Sequence, residues 1–312
     1  MAPRALLGIM VTLSLAACGP VGVDEGSGVD GSHVTPTLAT DGGTDLGPLG
    51  SDATTPYEDP CSDEAKLVYV VDSSGMFSSF DPHPIPPVFT DLGLLSSCPR
   101  TGTETPFSMS VDRDAIAWVL SSEGNLFRVD IKNNLACTKA AFVPGQSGLT
   151  LFGMGFVTNA VGGSADTLYI AGGSDPASGT ASAMLGTVTF PDLTLQTIKP
   201  VSGWPELTGN SNAELWGFYP DATSPKVARI DKQTAVEDPI YQLPSLAGEP
   251  QAWAFAFWGG DFWIFLARGA LDPKTAVYRV KGSDGTLSTA IENTGRRIVG
   301  AGVSTCAPIV ID

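Results

Sequence analysis

The chain of 312 residues contains only two histidines, His33 and His83. A Ser–His–Asp triad would therefore have to run through His83, and no G-x-S-x-G elbow accompanies it. The nearest string, Gly145-Gln-Ser-Gly148, has the composition of a turn. His83 itself follows Phe80-Asp-Pro and precedes further prolines, the setting of a solvated loop. Positive charge is scarce as well: 17 Lys and Arg stand against 33 Asp and Glu, giving a formal net charge of −16 and a pI near 4.3. Such a surface repels nucleic acid and anionic head groups, so no nucleic-acid partner is expected. No C-x-x-C spacing occurs, and no acidic run has EF-hand spacing, so neither a metal nor a cofactor is expected. The glycine pairs at Gly162, Gly172 and Gly259 are not followed by helical patterns and read as turns rather than phosphate cradles. No apolar run approaches the roughly 20 residues a spanning helix needs.

What the chain does have begins at its start. Residues 1–4 carry one positive charge, residues 5–15 are apolar, and Ala16 and Ala17 are small, which makes 1–17 a secretory signal peptide. Its end, Leu15-Ala16-Ala17-Cys18, resembles the lipobox of bacterial lipoproteins. That resemblance implies cleavage before Cys18, a diacylglyceryl thioether on its sulfur and an acylated amino group, palmitate included. With Gly19 rather than Asp next in line it implies the outer membrane, facing the periplasm or the surface. Several acyl chains on one residue anchor stably where a single chain does not. Residues 19–60 hold eight carboxylates and no Lys or Arg among Gly, Thr, Ser and Pro. Such a segment cannot bury enough apolar surface to offset its chain entropy, so 18–60 is expected to be a disordered acidic tether with an end-to-end distance of roughly 35 Å.

From residue 61 a single phrase repeats. Residues 107–130 contain three short strands, an alternating one at 107–111, an apolar Trp-centred one at 115–120 and another alternating one at 126–130. Aligning on the aromatic of the middle strand gives Tyr69, Trp118, Tyr169, Trp216 and Trp263, at steps of 49, 51, 47 and 47 residues. Third strands recur at 76–81, 126–130, 227–231 and 277–281, with 185–190 as the outlier. More polar fourth strands follow around Val88 and at 138–143, 193–198, 239–243 and 287–291. Four strands per period of 47–51 residues is the pattern of a β-propeller blade.

The strand that opens each blade alternates small with large residues, at 107–111, 152–156, 253–257 and 299–303, with 206–210 weaker. Opening strands crowd the central axis, so one face must be small, and glycine marks close backbone approach. Tyr69 has no opener before it, and the opener around Val299 has nothing after it. The fold class expected is therefore all-β: one five-bladed β-propeller of four-stranded blades over 61–312, its ring closed by strand exchange between the termini. Closure also removes sheet edges.

Exported chains form disulfides. With Cys18 set aside, Cys61 precedes the second strand of the closing blade and Cys306 follows its first, so these two are expected to pair. Cys98 and Cys137 then pair by elimination, joining the outer parts of the first two blades.

The propeller phrases at 107–130 and 145–155, together with the lipobox, resemble those of bacterial lipoproteins carrying a β-propeller ectodomain, a resemblance that implies no particular activity. The Trp-Asp dipeptide of WD40 blades and the kelch spacing are both missing, so neither family's partner rules apply. Propellers bind where loops ring one mouth of the channel, here the fourth-to-first and second-to-third connections. Those connections offer Trp204, Glu206, Tyr219, Asp221, Glu249, Arg268, Arg296 and Arg297, and the longest spans 172–183. The expected function is a monomeric binding or scaffold module, lipid-anchored in the cell envelope, with a glycan, peptide or protein partner at one mouth. The alternative is a hydrolase or lyase acting on glycans or lactones. That chemistry needs two carboxylates facing the channel, and Glu206 is the sole carboxylate within an opening strand. No catalytic residue is assigned.

Overall fold

The computed structural model describes residues 61–174, 183–269 and 273–310. The signal peptide, Cys18 and the tether lie outside the described residues, as do 175–182 of the long connection. The described residues form five four-stranded antiparallel sheets arranged in a ring, a five-bladed propeller. Blade I contains β1 (Val68–Asp72), β2 (Met76–Asp81) and β3 (Val88–Leu94). Blade II contains β4 (Pro106–Val111), β5 (Ile116–Ser121), β6 (Leu126–Asp130) and β7 (Ala136–Lys139). Blade III contains β8 (Leu151–Thr158), β9 (Asp166–Gly173), β10 (Met184–Thr189) and β11 (Thr194–Pro200). Blade IV contains β12 (Glu206–Gly209), β13 (Leu215–Tyr219), β14 (Lys226–Ile230) and β15 (Glu237–Gln242). Blade V contains β16 (Pro250–Trp258), β17 (Asp261–Arg268), β18 (Ala276–Lys281) and β19 (Leu287–Ile291). The last strand, β20 (Ile298–Val303), pairs antiparallel with β1, Val68 opposite Val303 and Val71 opposite Gly300, and so opens blade I. Strand exchange closes the ring as the sequence predicts.

Each blade buries both faces against its neighbours, which is why the middle strands carry continuous apolar runs rather than alternation. All of β1, β5 and β13 is buried, whereas the outer β3 and β7 are largely exposed. Five apolar clusters result, one at each seam between blades. At the seam between blades V and I, Phe80 meets Trp263 and Phe265 edge-on, with ring centroids 5.3 and 5.2 Å apart.

The openers β20, β4, β8, β12 and β16 pack in a closed cycle around the axis. A Cβ on Gly302 would meet the Ser110 backbone at 3.0 Å, so the small face of these strands is a steric requirement. Small hydroxyls also satisfy edge donors that no strand pairs. Phe156 N–H donates to Ser110 Oγ at 3.1 Å, and Phe257 N–H to Thr208 Oγ1 at 3.0 Å.

Both expected disulfides are present: Cys61–Cys306 across 245 residues and Cys98–Cys137 across 39. In the chain-entropy relation they contribute about 5 and 4 kcal/mol. Strand bounds shift by a few residues from the sequence expectation, most clearly in blade II. The fourth strand of blade II occupies Ala136–Lys139 rather than 138–143. Asn134 and Leu135 adopt positive φ and turn the chain early, and Phe142 leaves the sheet to fill the seam beside Phe152.

Candidate functional site

All five openers begin at the same end of the channel, where the connections from second to third strands also lie. The first residues of the openers therefore converge on one mouth, and a cavity of about 300 Å³ opens there. Every blade contributes to it. Blade II supplies Thr105, Pro106, Phe107 and Ser122; blade III supplies Gly153; blade IV supplies Trp204 and Glu206. Gln251, Ala252 and Trp253 come from blade V, and Ser73, Arg297 and Val299 from blade I. Three aromatic side chains, a single cation and a single carboxyl thus face one small space.

Glu206 opens β12 and is 3% exposed. Its carboxyl lies against Gly153 of the adjacent blade, where a Cβ would collide with Glu206 Oε2 and with the carbonyl oxygen of Pro205. The Ser108 hydroxyl lies beside the carboxyl without a well-formed hydrogen bond. Burial pushes the Glu206 pKa well above the usual carboxylate range, and Ser108 only partly opposes it. Trp204 is buried, and its Nε1–H has no acceptor. Arg297 donates through Nη2 to the Gln251 carbonyl oxygen, while its buried Nε–H has no acceptor. Among the described residues no carboxylate pairs with Arg297.

A buried acid that sequence reasoning missed shapes part of the wall. Glu104 is 5% exposed and accepts hydrogen bonds from the Ser121 hydroxyl, from Asn125 Nδ2 at 2.8 Å and from Thr101 N–H at 3.0 Å. Burial opposes its ionisation, but these donors, with Lys139, hold its pKa below the ordinary value. Glu104 thereby ties the connection before β4 to the β5–β6 turn. Ser122 N–H donates to Thr105 O at 2.8 Å, and Thr105 N–H to Ser122 Oγ at 3.1 Å.

Of the residues singled out from sequence, Trp204, Glu206 and Arg297 line the cavity. Tyr219 is buried behind it, with the Lys226 ammonium 4.7 Å from its ring centre, and burial and then Glu237 push its hydroxyl pKa up. Asp221 is exposed and folded into its own turn; the backbone N–H groups of Thr223 and Ser224 lower its pKa to about 2. Glu249 is exposed. Arg268 donates to the carbonyl oxygens of Ser245 and Ala247 and to the Tyr278 hydroxyl. Arg296 pairs with Asp91 at 2.7 Å and donates to Ser78 Oγ at 2.9 Å. Sequence reasoning passed over Phe107, Gln251 and Trp253 because they sit in or beside opening strands read as structural. Their place at the start of those strands was the available signal. His83 stands on the outer rim, its Nδ1 2.9 Å from Asp81 and its ring edge-on to Trp258. Among the described residues no group of three or more His, Cys, Asp or Glu could hold a metal ion.

The two disulfides belong to an oxidising, extracytoplasmic compartment. No described helix is long and apolar enough to cross a membrane. No protein-family model and no curated protein sequence matches the chain. Among solved structures it is similar to TolB from Acinetobacter baumannii, with a TM-score of 0.42 and 11% identity over 72% of this chain and 51% of that one. It is also similar to Kuenenia stuttgartiensis hydrazine synthase, with a TM-score of 0.40 and 10% identity over 73% of this chain and 64% of that one. A protein of unknown function from Bacteroides caccae gives 0.41 and 10% over 75% and 84%. The chain thus spans about half of the first and under two thirds of the second. Likeness at this level carries nothing about activity, and the propeller stands on the chain's own five sheets.

Proposed function

We propose that the chain is a binding module of the cell envelope that takes a small ligand, a glycan or peptide unit, in the mouth cavity. One observation carries this reading: the Trp204 Nε1–H and the Arg297 Nε–H have no acceptor, and both residues line one aromatic-walled cavity. Buried polar groups in folded proteins have partners, and a cluster without them is where a ligand supplies them. Glycan hydrolysis needs a second carboxyl at working distance from the first, and Glu206 is the single carboxyl in the described lining, which favours binding over turnover. The lipobox at 15–18 supports a lipid anchor on Cys18, Gly19 after it supports an outer-membrane address, and the acidic composition of 19–60 supports a tether between anchor and propeller.

The test is thermal unfolding of the full chain against neutral sugars, acidic sugars, short peptides and divalent metals, repeated with Trp253→Ala. A ligand at a hundred times its dissociation constant stabilises by about 2.7 kcal/mol, and the variant should lose that shift. A flat panel, or a shift that survives Trp253→Ala, contradicts the reading. For the anchor, palmitate labelling is expected to vanish in Cys18→Ala; persistent label would place the lipid elsewhere.

A further inference from the structure

Arg297 lines the cavity without an acid partner, whereas several other arginines of the propeller are paired. Arg296, one residue earlier, pairs with Asp91 at 2.7 Å; Arg113 pairs with Asp166 at 3.0 Å; Arg279 pairs with Asp261. Among the described residues Arg297 has the Gln251 carbonyl oxygen and no acid. Glu206, which shares the cavity, forms no ion pair with it. A partly buried guanidinium without an anion is costly. Its fork of donors matches a carboxylate in two parallel hydrogen bonds.

We propose that the mouth cavity takes a small monocarboxylate built on a ring, with the carboxylate on Arg297 and the ring against Trp204 and Trp253. The inference rests on the binding function proposed above and adds the charge of the ligand. A volume of about 300 Å³ is at the lower end for ligand sites and suits roughly one ring with its substituents. One cation set in a chain of net charge −16 favours a single negative charge, since a polyanion would be repelled by the surrounding surface. Indole faces give flat contact to a sugar or aromatic ring.

The experiment is calorimetric titration of the full chain at pH 7 with matched pairs: glucuronate and glucose, galacturonate and galactose, phenylacetate and phenylacetamide. At least one acid should bind tenfold or more tightly than its neutral partner, and the preference should weaken with salt. Arg297→Gln should bring that pair within about threefold of each other, and Arg297→Lys should recover part of the preference through charge without the fork. Unchanged thermal midpoints show that both variants fold. Equal binding of acid and neutral partner would overturn the charge assignment while leaving the cavity as a binding site. An acid preference that survives Arg297→Gln would overturn the role of Arg297. Failure of every member of every pair to bind would overturn the monocarboxylate; the wider panel then decides whether the cavity binds at all.

Discussion

The two ends of the channel are built from the same five opening strands, yet one is tied together by polar bonds and a disulfide and the other opens into a cavity. At the end where the openers finish, Arg113 donates to Asp166 Oδ2 at 3.0 Å, to Thr158 Oγ1 at 3.0 Å and to Gly163 O at 3.1 Å. Thr305 donates to the same Asp166 oxygen at 2.6 Å, and Ser304 Oγ to Ala65 O at 2.6 Å. The Cys61–Cys306 disulfide lies beside them, so this end is a stitched closure. At the end where the openers begin, Glu206, Trp204 and Arg297 surround an open cavity with polar atoms left over. The closed end is dense in paired polar groups, although Asp166 Oδ1 and Asp130 Oδ1 have no partner there, whereas the open end leaves the Trp204 Nε1–H and Arg297 Nε–H without acceptors beside a cavity.

That contrast breaks first, and hardest, at the closure. Replacing Cys61 and Cys306 together by serine should cost about 5 kcal/mol in urea unfolding. A loss under about 1 kcal/mol would mean the termini hold without the bond. Asp166→Ala leaves Arg113 and Thr305 without their shared acceptor and should cost about 3 kcal/mol, the range for breaking a buried pair. At the open end, Gly153→Ala forces a methyl group onto the Pro205 backbone and should cost about 2 kcal/mol.

The Glu206 carboxyl gives the open end a pH dependence. Its folded pKa is raised above the unfolded value, so the folded state binds the proton more tightly. Stability attached to it is full below about pH 4.5 and is lost as pH rises towards the folded pKa, at up to about 1.4 kcal/mol per pH unit. Unfolding curves of the native chain and of Glu206→Gln should therefore diverge in the variant's favour above pH 4.5, and parallel curves would contradict the assignment. The smallest effect is expected for Arg297→Gln, within about 1 kcal/mol, because no ion pair is lost there. A cost like that of Asp166→Ala would show that Arg297 is structural after all.

The propeller was legible because its constraints are periodic. Crowding at the axis writes small residues at every second position of an opener, and burial on both faces writes the Trp-centred runs. The exchange of β20 into blade I and the disulfide beside it followed from counting openers against closers. The site was legible only in part, because it is assembled from single residues on five different blades. Trp204 and Glu206 stood out as aromatic and acid on a connection and an opener. Trp253 and Phe107 did not, since the same aromatic residues serve packing elsewhere in the chain. Glu104 could not be told from a solvated loop acid, because its donors Ser121 and Asn125 come into reach only once β4 and β5 pair. Arg296 and Arg297 are adjacent in sequence, and only the fold shows that one is paired with Asp91 and the other faces the cavity.

The account turns on which end of the channel binds, and the six tryptophans report on it directly. Trp204 and Trp253 line the open end, whereas the indole N–H of Trp118 bonds Asp112 and that of Trp258 bonds Lys66 O, both at the stitched end. Indole Nε1–H resonances should be followed by heteronuclear NMR while each acid of the matched pairs is titrated in. The account predicts that Trp204 and Trp253 shift with a saturable dependence while Trp118 and Trp258 stay fixed. Movement confined to Trp118 and Trp258, or no movement with any acid, would contradict it.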